Sequence, residues 1–79
     1  MTATKELHQW VIYEHPAGHP DEYVVRGWSI SERGIREESK QYVRSSLEEA
    51  RAFVTAHFPN LNPLKRGPLD DPTIVEVWT

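Results

Sequence analysis

The residues best suited to binding a metal ion stand together in the segment His15–Asp21, which Glu22 follows. Two imidazoles four positions apart, with carboxylates nearby, offer donor groups that Zn²⁺ accepts. The same segment holds two prolines and a glycine, which predict a turn rather than a helix that would aim both imidazoles at one point. The chain has no cysteine to complete a ligand shell. We therefore expect a surface turn here, and neither a metal nor another cofactor.

Catalytic motifs are missing from the chain. It contains no cysteine nucleophile, no G-x-S-x-G, no P-loop and no G-x-G-x-x-G. Its carboxylates and histidines could form many acid–base pairs, but no spacing singles one out. Helix capping accounts for Ser45 and Ser46. We expect no catalytic residue and predict that the protein is not an enzyme.

Two strand-like segments carry the best indication of function. In each, a charged residue has large apolar residues two positions away on both sides, and the second of these is a tryptophan. Alternate residues of a strand lie on one face, so each segment would present a charge and an indole together. The two triplets are Val24, Arg26 and Trp28, and Ile74, Glu76 and Trp78.

Two interpretations of the triplets stay open. In the first, both lie on an open sheet face, with Arg26 and Glu76 roughly 10 Å apart, and the indoles bind a partner. In the second, Trp28 and Trp78 are core residues and the charges reach solvent at the sheet edge, or Gly27 marks a bulge that turns Arg26 outward. On the first interpretation, the partner-binding residues are Arg26, Trp28, Ile74, Glu76 and Trp78.

Composition limits the class of protein. The 79 residues, with 38% hydrophobic and 27% charged, suit one small globular domain. The net charge of −3 argues against nucleic-acid binding, which needs a basic footprint. No apolar run approaches the ~18 residues of a membrane span, and the N-terminal residues do not resemble a signal peptide. We expect a cytoplasmic protein with no membrane partner.

Local patterns predict the elements that must position these residues. Runs rich in β-branched and aromatic residues predict strands over 7–14, 22–31, 41–44 and 73–79. Ser46 and Glu49 match a capping box, so we expect a helix of about three turns that ends at Pro59. Its apolar positions are Leu47, Ala50, Phe53, Val54 and either His57 or Phe58.

The predicted fold is α+β, a two-layer sandwich of one helix on a mainly antiparallel four-stranded sheet, in the order β-β-β-α-β. Strands one to three would form a meander, and strand four would return beside strand one. We expect residues 1–6 to be disordered and 7–79 to form a single domain. The proline-rich segment 59–72 is expected to be a long loop. Three of its leucines are expected to pack against the core: Leu61, Leu64 and Leu69.

Four segments carry a resemblance to known proteins. They are 10–16, 23–28, 46–51 and 70–78, which together extend over nearly the whole chain. In combination they resemble short bacterial proteins that are often encoded as stand-alone single domains and have no assigned activity. The resemblance implies a bacterial, cytoplasmic protein. It assigns no catalytic or binding residue.

Three hypotheses of function follow. The first is a small non-enzymatic module that binds a protein partner, or a second copy of itself as a homodimer, through an open sheet face. The second is a small regulator or inhibitor acting on nucleic acid or on a nucleic-acid-handling complex. The third is a small-ligand binder or minor enzyme that uses the His15–His19 loop. Glutamates balance the basic residues of the second hairpin, which disfavours the second hypothesis: Glu32, Glu37 and Glu38 against Arg33, Arg36, Lys40 and Arg44.

Overall fold

The structure is a computed structural model that describes residues 7–65 and 72–79. The elements follow the order β1 (Leu7–Glu14), β2 (Tyr23–Ser31), β3 (Gly34–Arg44), α1 (Leu47–His57), β4 (Pro63–Lys65) and β5 (Ile74–Trp78). The strands form one antiparallel sheet in the order β3-β2-β1-β5-β4. The predicted α+β class is confirmed, and the last strand does return beside the first. The predicted disorder of residues 1–6 lies outside the described residues.

The sheet has five strands rather than the predicted four. The additional strand, β4, lies in the segment that was expected to be a loop, and it pairs with β5 at the sheet edge. Pro63 is compatible with this strand because it stands at the first position of an edge strand. Leu61 packs against the core as expected, whereas Leu64 is exposed. Leu69 lies outside the described residues.

Strand β3 is longer than predicted. It begins at Gly34, because the chain reverses over Glu32 and Arg33 alone, and Ser31 pairs directly with Gly34. The φ of +119° at Gly34 is one that a residue without Cβ adopts readily. The charged segment 32–38 is therefore mostly strand, and its polar residues follow from its place at the sheet edge.

An irregular bulge of three residues against one interrupts the pairing of β3 with β2. Arg26 is opposite Gln41 and Trp28 is opposite Glu37, so Gly27 alone faces the three residues 38–40. The bulge therefore lies at Gly27, where one interpretation of the triplets expected it, but the additional residues belong to β3 and not to β2. Arg26 and Trp28 remain on the same face of the sheet.

Helix α1 begins as the capping signal predicts. The Glu49 amide donates to the Ser46 hydroxyl at 3.1 Å, which satisfies one of the free N–H groups of the first turn. The second half of the predicted capping box is wrong. The Glu49 carboxylate accepts from the Ser45 hydroxyl at 2.7 Å and the Ser45 amide at 3.2 Å, rather than from the Ser46 amide.

The core lies between the helix and one face of the sheet. Buried residues of the sheet meet buried residues of the helix there, and half-buried aromatic residues surround them. Because the helix is three turns long and the sheet is five strands wide, the helix can cover one face only. The buried core residues are Ile12, Val25, Ala50, Phe53, Val54 and Trp78.

Candidate interaction surface

The face of the sheet opposite α1, which we call the open face, is covered by no helix of the described residues. Ile12 and Val25 pack against α1, so the residues that alternate with them on β1 and β2 project from the open face. Directly paired residues of neighbouring strands share a face, which extends the assignment across the sheet. The registers place on it Leu7, Gln9, Val11, Tyr13, Val24, Arg26, Trp28, Ile30, Ile35, Glu37, Gln41, Val43, Leu64, Ile74 and Val77.

The exposed aliphatic residues concentrate on this face. At the end of the sheet where the β2–β3 hairpin turns, Leu7 is opposite Ile30 and Ile30 is opposite Ile35. Three strands therefore contribute to one apolar row. Leu7 is 49% exposed and Ile35 is 70% exposed. Leu64, 54% exposed, lies opposite Val77 at the other side of the same face. All the large apolar residues that are strongly exposed in the described ranges therefore lie on one side of the sheet.

Between these residues, two buried valines, Val11 and Val24, form what we call the apolar floor of the open face. Val24 is fully buried and Val11 is nearly so, although both point away from the helix. Tyr13 and Val43 are the direct partners of Val24, and Arg26 and Val77 are those of Val11. Trp28 is half-buried beside this floor, in the row between Gln9 and Glu37. The exposed part of the face is therefore mixed, with the Trp28 indole between the apolar row at Ile30 and the polar side chains of Arg26 and Gln41, and large aromatic residues among polar ones are common in protein-binding patches.

Arg26 is held by its own chain. Its Nε donates to Gln41 Oε1 at 3.0 Å, and its Nη1 lies 3.7 Å from Glu37 Oε1. The guanidinium carbon lies 5.4 Å from the centroid of the Tyr13 ring, a cation–π distance. The charge of Arg26 is therefore offset within the face.

Two of the predicted site residues lie on the helix side of the sheet, so their placement on the open face is wrong. Trp78 is buried in the core beneath α1. The Glu76 carboxylate accepts from Arg51 of α1, with Oε1 3.0 Å from Nε and Oε2 2.7 Å from Nη2. The Trp78 indole N–H also points to Glu76 Oε1, at 3.3 Å. Glu76 thus ties the helix to β5 and does not approach Arg26.

A bulge in β5 explains the difference. Tyr13 is opposite Ile74 and Ile12 is opposite Glu76, although Ile74 and Glu76 are two positions apart. The additional residue, Val75, interrupts the alternation, so Ile74 and Glu76 project from opposite faces. Of the predicted site residues, the structure places Arg26, Trp28 and Ile74 together on the open face.

Sequence reasoning missed four apolar residues of this face: Leu7, Ile30, Ile35 and Leu64. A signal existed for Ile30, which is two positions after Trp28 on the same strand. Ile35 was missed because its segment was interpreted as a hairpin connection. Leu64 was missed because its proline-rich segment does not suggest a strand.

The His15–Asp21 segment forms a turn. The His19 amide donates to the Pro16 carbonyl at 2.9 Å, and His19 Nδ1 lies 3.2 Å from Glu22 Oε1. The His15 ring lies against the Tyr23 ring, with centroids 5.3 Å apart. Within the described ranges, no group of three His, Asp or Glu residues is arranged to hold a metal ion.

A serine, a histidine and a glutamate meet on the helix side of the second hairpin. The Ser29 hydroxyl donates to Glu38 Oε1 at 2.9 Å, and His8 Nδ1 lies 3.3 Å from the same hydroxyl. In a nucleophilic triad the serine proton passes to the histidine, whereas here it is directed to the carboxylate. Ser29 is also buried, and the three side chains form a hydrogen-bonded network.

Next to this network the second hairpin borders an open cavity of about 270 Å³. It is lined by Ser29, Ser31, Arg33, Gly34, Ile35 and Arg36. Two arginines and two hydroxyl groups give it a polar wall, in contrast to the open face.

Two groups at the start of the helix have shifted pKa values. Hydrogen bonds from the Ser45 side chain and backbone hold the pKa of Glu49 below its ordinary value. The hydrogen bonds to Glu76 raise the pKa of Arg51 above its ordinary value. Both groups fasten α1 and lie away from the open face, so the shifts are structural.

No family model, curated protein or solved structure matches the chain. The resemblance to short bacterial proteins therefore stays a prediction. No helix in the described part of the chain is long and apolar enough to cross a membrane.

Proposed function

We propose that the protein is a small non-enzymatic interaction module that binds a protein partner, or a second copy of itself, through the open face. The observation that carries the proposal is the one-sided distribution of exposed aliphatic residues. Leu7, Ile35 and Leu64 all project from the face that no described helix covers. A concentration of exposed apolar residues on one face is a recognised sign of a binding site in small soluble domains.

The energetics favour an apolar partner surface. Burying a side chain such as leucine or isoleucine fully contributes roughly 1.5–3 kcal/mol, and aromatic residues often dominate such interfaces. Trp28 adjoins the buried valines, so we expect it to be the anchor, with Ile35 and Leu7 adding area at the hairpin end. Ile74 would contribute at the opposite end of the face.

Arg26 has a different role in this proposal. Its guanidinium is already engaged by Gln41 and Glu37, so a partner gains little by approaching it. A partly exposed ion pair contributes only ~0–1 kcal/mol. We expect Arg26 to set the orientation of the partner and the apolar residues to supply the affinity.

The same geometry argues against nucleic acid as the partner. Trp28 and Tyr13 could stack on bases, but single-strand binders place cations beside such aromatic residues to follow the phosphates. On the open face the cation of Arg26 is paired with Glu37. Arg33 and Arg36 line the hairpin cavity instead. The nucleic-acid alternative therefore stays a weaker prediction, which salt-dependent binding to single-stranded RNA would support.

Site-specific photocrosslinking tests the proposal. A photoreactive amino acid in place of Ile35 should capture protein, either another chain or a second copy, and Trp28→Ala should remove the product. The matched control carries the same group in place of Ala56, which is exposed on the helix. Equal capture from positions 35 and 56, or capture that Trp28→Ala does not change, would refute the proposal.

A further inference from the structure

We infer that the occupant of the open face is a second copy of this chain, packed sheet against sheet in a symmetric dimer. The inference rests on the proposed function, because it names the partner of the same surface. Three observations support it: the charge balance of the open face, the size of that face and the irregular edge of β3.

The charge balance of the face suits self-association. The chain carries a net charge of −3, so most of its surface would repel a second copy. Within the described residues, the charged groups assigned to the open face are Arg26 and Glu37, one of each sign, with Nη1 and Oε1 3.7 Å apart. Two open faces can therefore meet without bringing an excess of like charge together. A strongly charged partner of either sign would find no complementary excess there.

The size of the face suits a reversible dimer. Five strands ~4.8 Å apart, with about seven residues of ~3.4 Å along β1, give a footprint on the order of 500 Å². Two such faces would bury on the order of 1,000 Å², which is near the lower limit for specific interfaces. We therefore expect dimerisation that depends on concentration rather than an obligate dimer.

The symmetry makes a specific arrangement possible. Two sheets that pack face to face lie about 10 Å apart, and each copy contributes the same patch. Trp28 and Val11 lie near the middle of the open face, where residues meet their own counterparts across a two-fold axis. The Trp28 indoles of the two copies can then pack near the axis.

The edge of β3 offers a poorer route to association. Pairing of two copies through this edge would need a regular ladder, and the bulge at residues 38–40 interrupts it. Charged residues in the bulge and next to it, Lys40 and Glu37, disfavour a neighbouring strand further. Two-fold pairing of the open faces does not use this edge, and it is complete at two copies.

The test is the solution mass of the whole chain by analytical ultracentrifugation, from about 1 μM to about 1 mM, where reversible interfaces of this size dissociate. The mass should rise from one chain to two and no further. Ile35→Glu places a charge in the apolar row and should weaken dimerisation at least about tenfold. Ala56→Glu adds the same charge on the helix side and should leave the dissociation constant unchanged. Circular dichroism should show that both variants stay folded.

Each other result has a defined meaning. A wild type that stays monomeric overturns the inference. If crosslinks from position 35 to other proteins persist in that case and Trp28→Ala abolishes them, the proposed function survives with another partner; if they are absent, both proposals fail. A mass beyond two chains, or equal weakening by Ile35→Glu and Ala56→Glu, also overturns the inference.

Discussion

The indole of Trp10 lies against Gly27, its direct partner on β2, with no room for a side chain between them. A methyl group at position 27 would lie 2.8 Å from Trp10 Cη2 and 2.9 Å from Trp10 Cζ3. The same ring stacks on Phe58, with centroids 4.6 Å apart. Trp10 is thus confined between β2 and the residue that ends α1, and Gly27 allows the sheet and the helix end to approach.

Gly27→Ala should therefore destabilise the protein by ~1–3 kcal/mol, the usual cost of inserting a methyl group into a tight contact. Chemical denaturation measures the change. In the Trp10→Phe background the ring atoms nearest Gly27 are absent, so the penalty of Gly27→Ala should shrink there. An equal penalty in both backgrounds would show that the cost does not come from the indole.

Ser46→Ala should lower the free energy of unfolding by ~1 kcal/mol, because it removes the acceptor of the Glu49 amide. Ser45→Ala serves as the control, since it removes a hydrogen bond to an exposed carboxylate and should cost less. Urea denaturation compares the two variants. An unchanged midpoint at an unchanged slope for Ser46→Ala would mean that the helix does not depend on this cap.

The pKa of Glu49 should lie below that of an ordinary glutamate, chiefly because the Ser45 hydroxyl donates to the ionised carboxylate. The stabilising contribution of such a lowered pKa is present above the unfolded-state value and is lost as the pH falls through the folded-state value. NMR titration should show the lowered pKa, and Ser45→Ala should raise it. The stability difference between wild type and Glu49→Gln should narrow in acid, and a constant difference would contradict the prediction.

Substitutions of Trp28 and Trp78 should have different effects. Trp78→Ala removes a buried indole from the core and should cost ~3–5 kcal/mol, enough to unfold a small domain. Trp28→Ala should weaken association much more than it lowers the stability of the monomer. Thermal denaturation and solution mass separate the two effects. If the wild type is monomeric and both variants unfold, Trp28 is a core residue and the open face loses its anchor.

Local sequence patterns predicted the helix and the strands that depend on interactions within one segment. The hydroxyl of Ser46 before an apolar face at helical spacing defines α1, because capping and amphipathicity act within one segment. β-branched and aromatic runs likewise predicted β1, β2 and β5. The failure at Glu76 has a different origin, since the bulge at Val75 is set by how β5 meets β1. An alternating pattern cannot reveal a residue that the neighbouring strand leaves unpaired.

Half of the candidate surface could be predicted, for the same reason. Trp28 and Arg26 share a face because the strand that contains them is regular there. Ile35 follows a two-residue turn within a run of charges, and polar edge strands resemble loops in sequence. Leu64 belongs to a three-residue strand that exists only through its pairing with β5.

The bulge in β3 also bears on whether this protein can stay dispersed at high concentration. Fibrils grow when a strand edge accepts an incoming chain along an unbroken ladder of N–H and C=O groups. Residues 38–40 face a single glycine, so β3 departs from regular strand geometry there, and a bulge of this kind disfavours pairing at an edge. Polymerisation through sheet edges is a particular risk for a chain with exposed apolar strand residues, and the irregularity lowers this risk at β3.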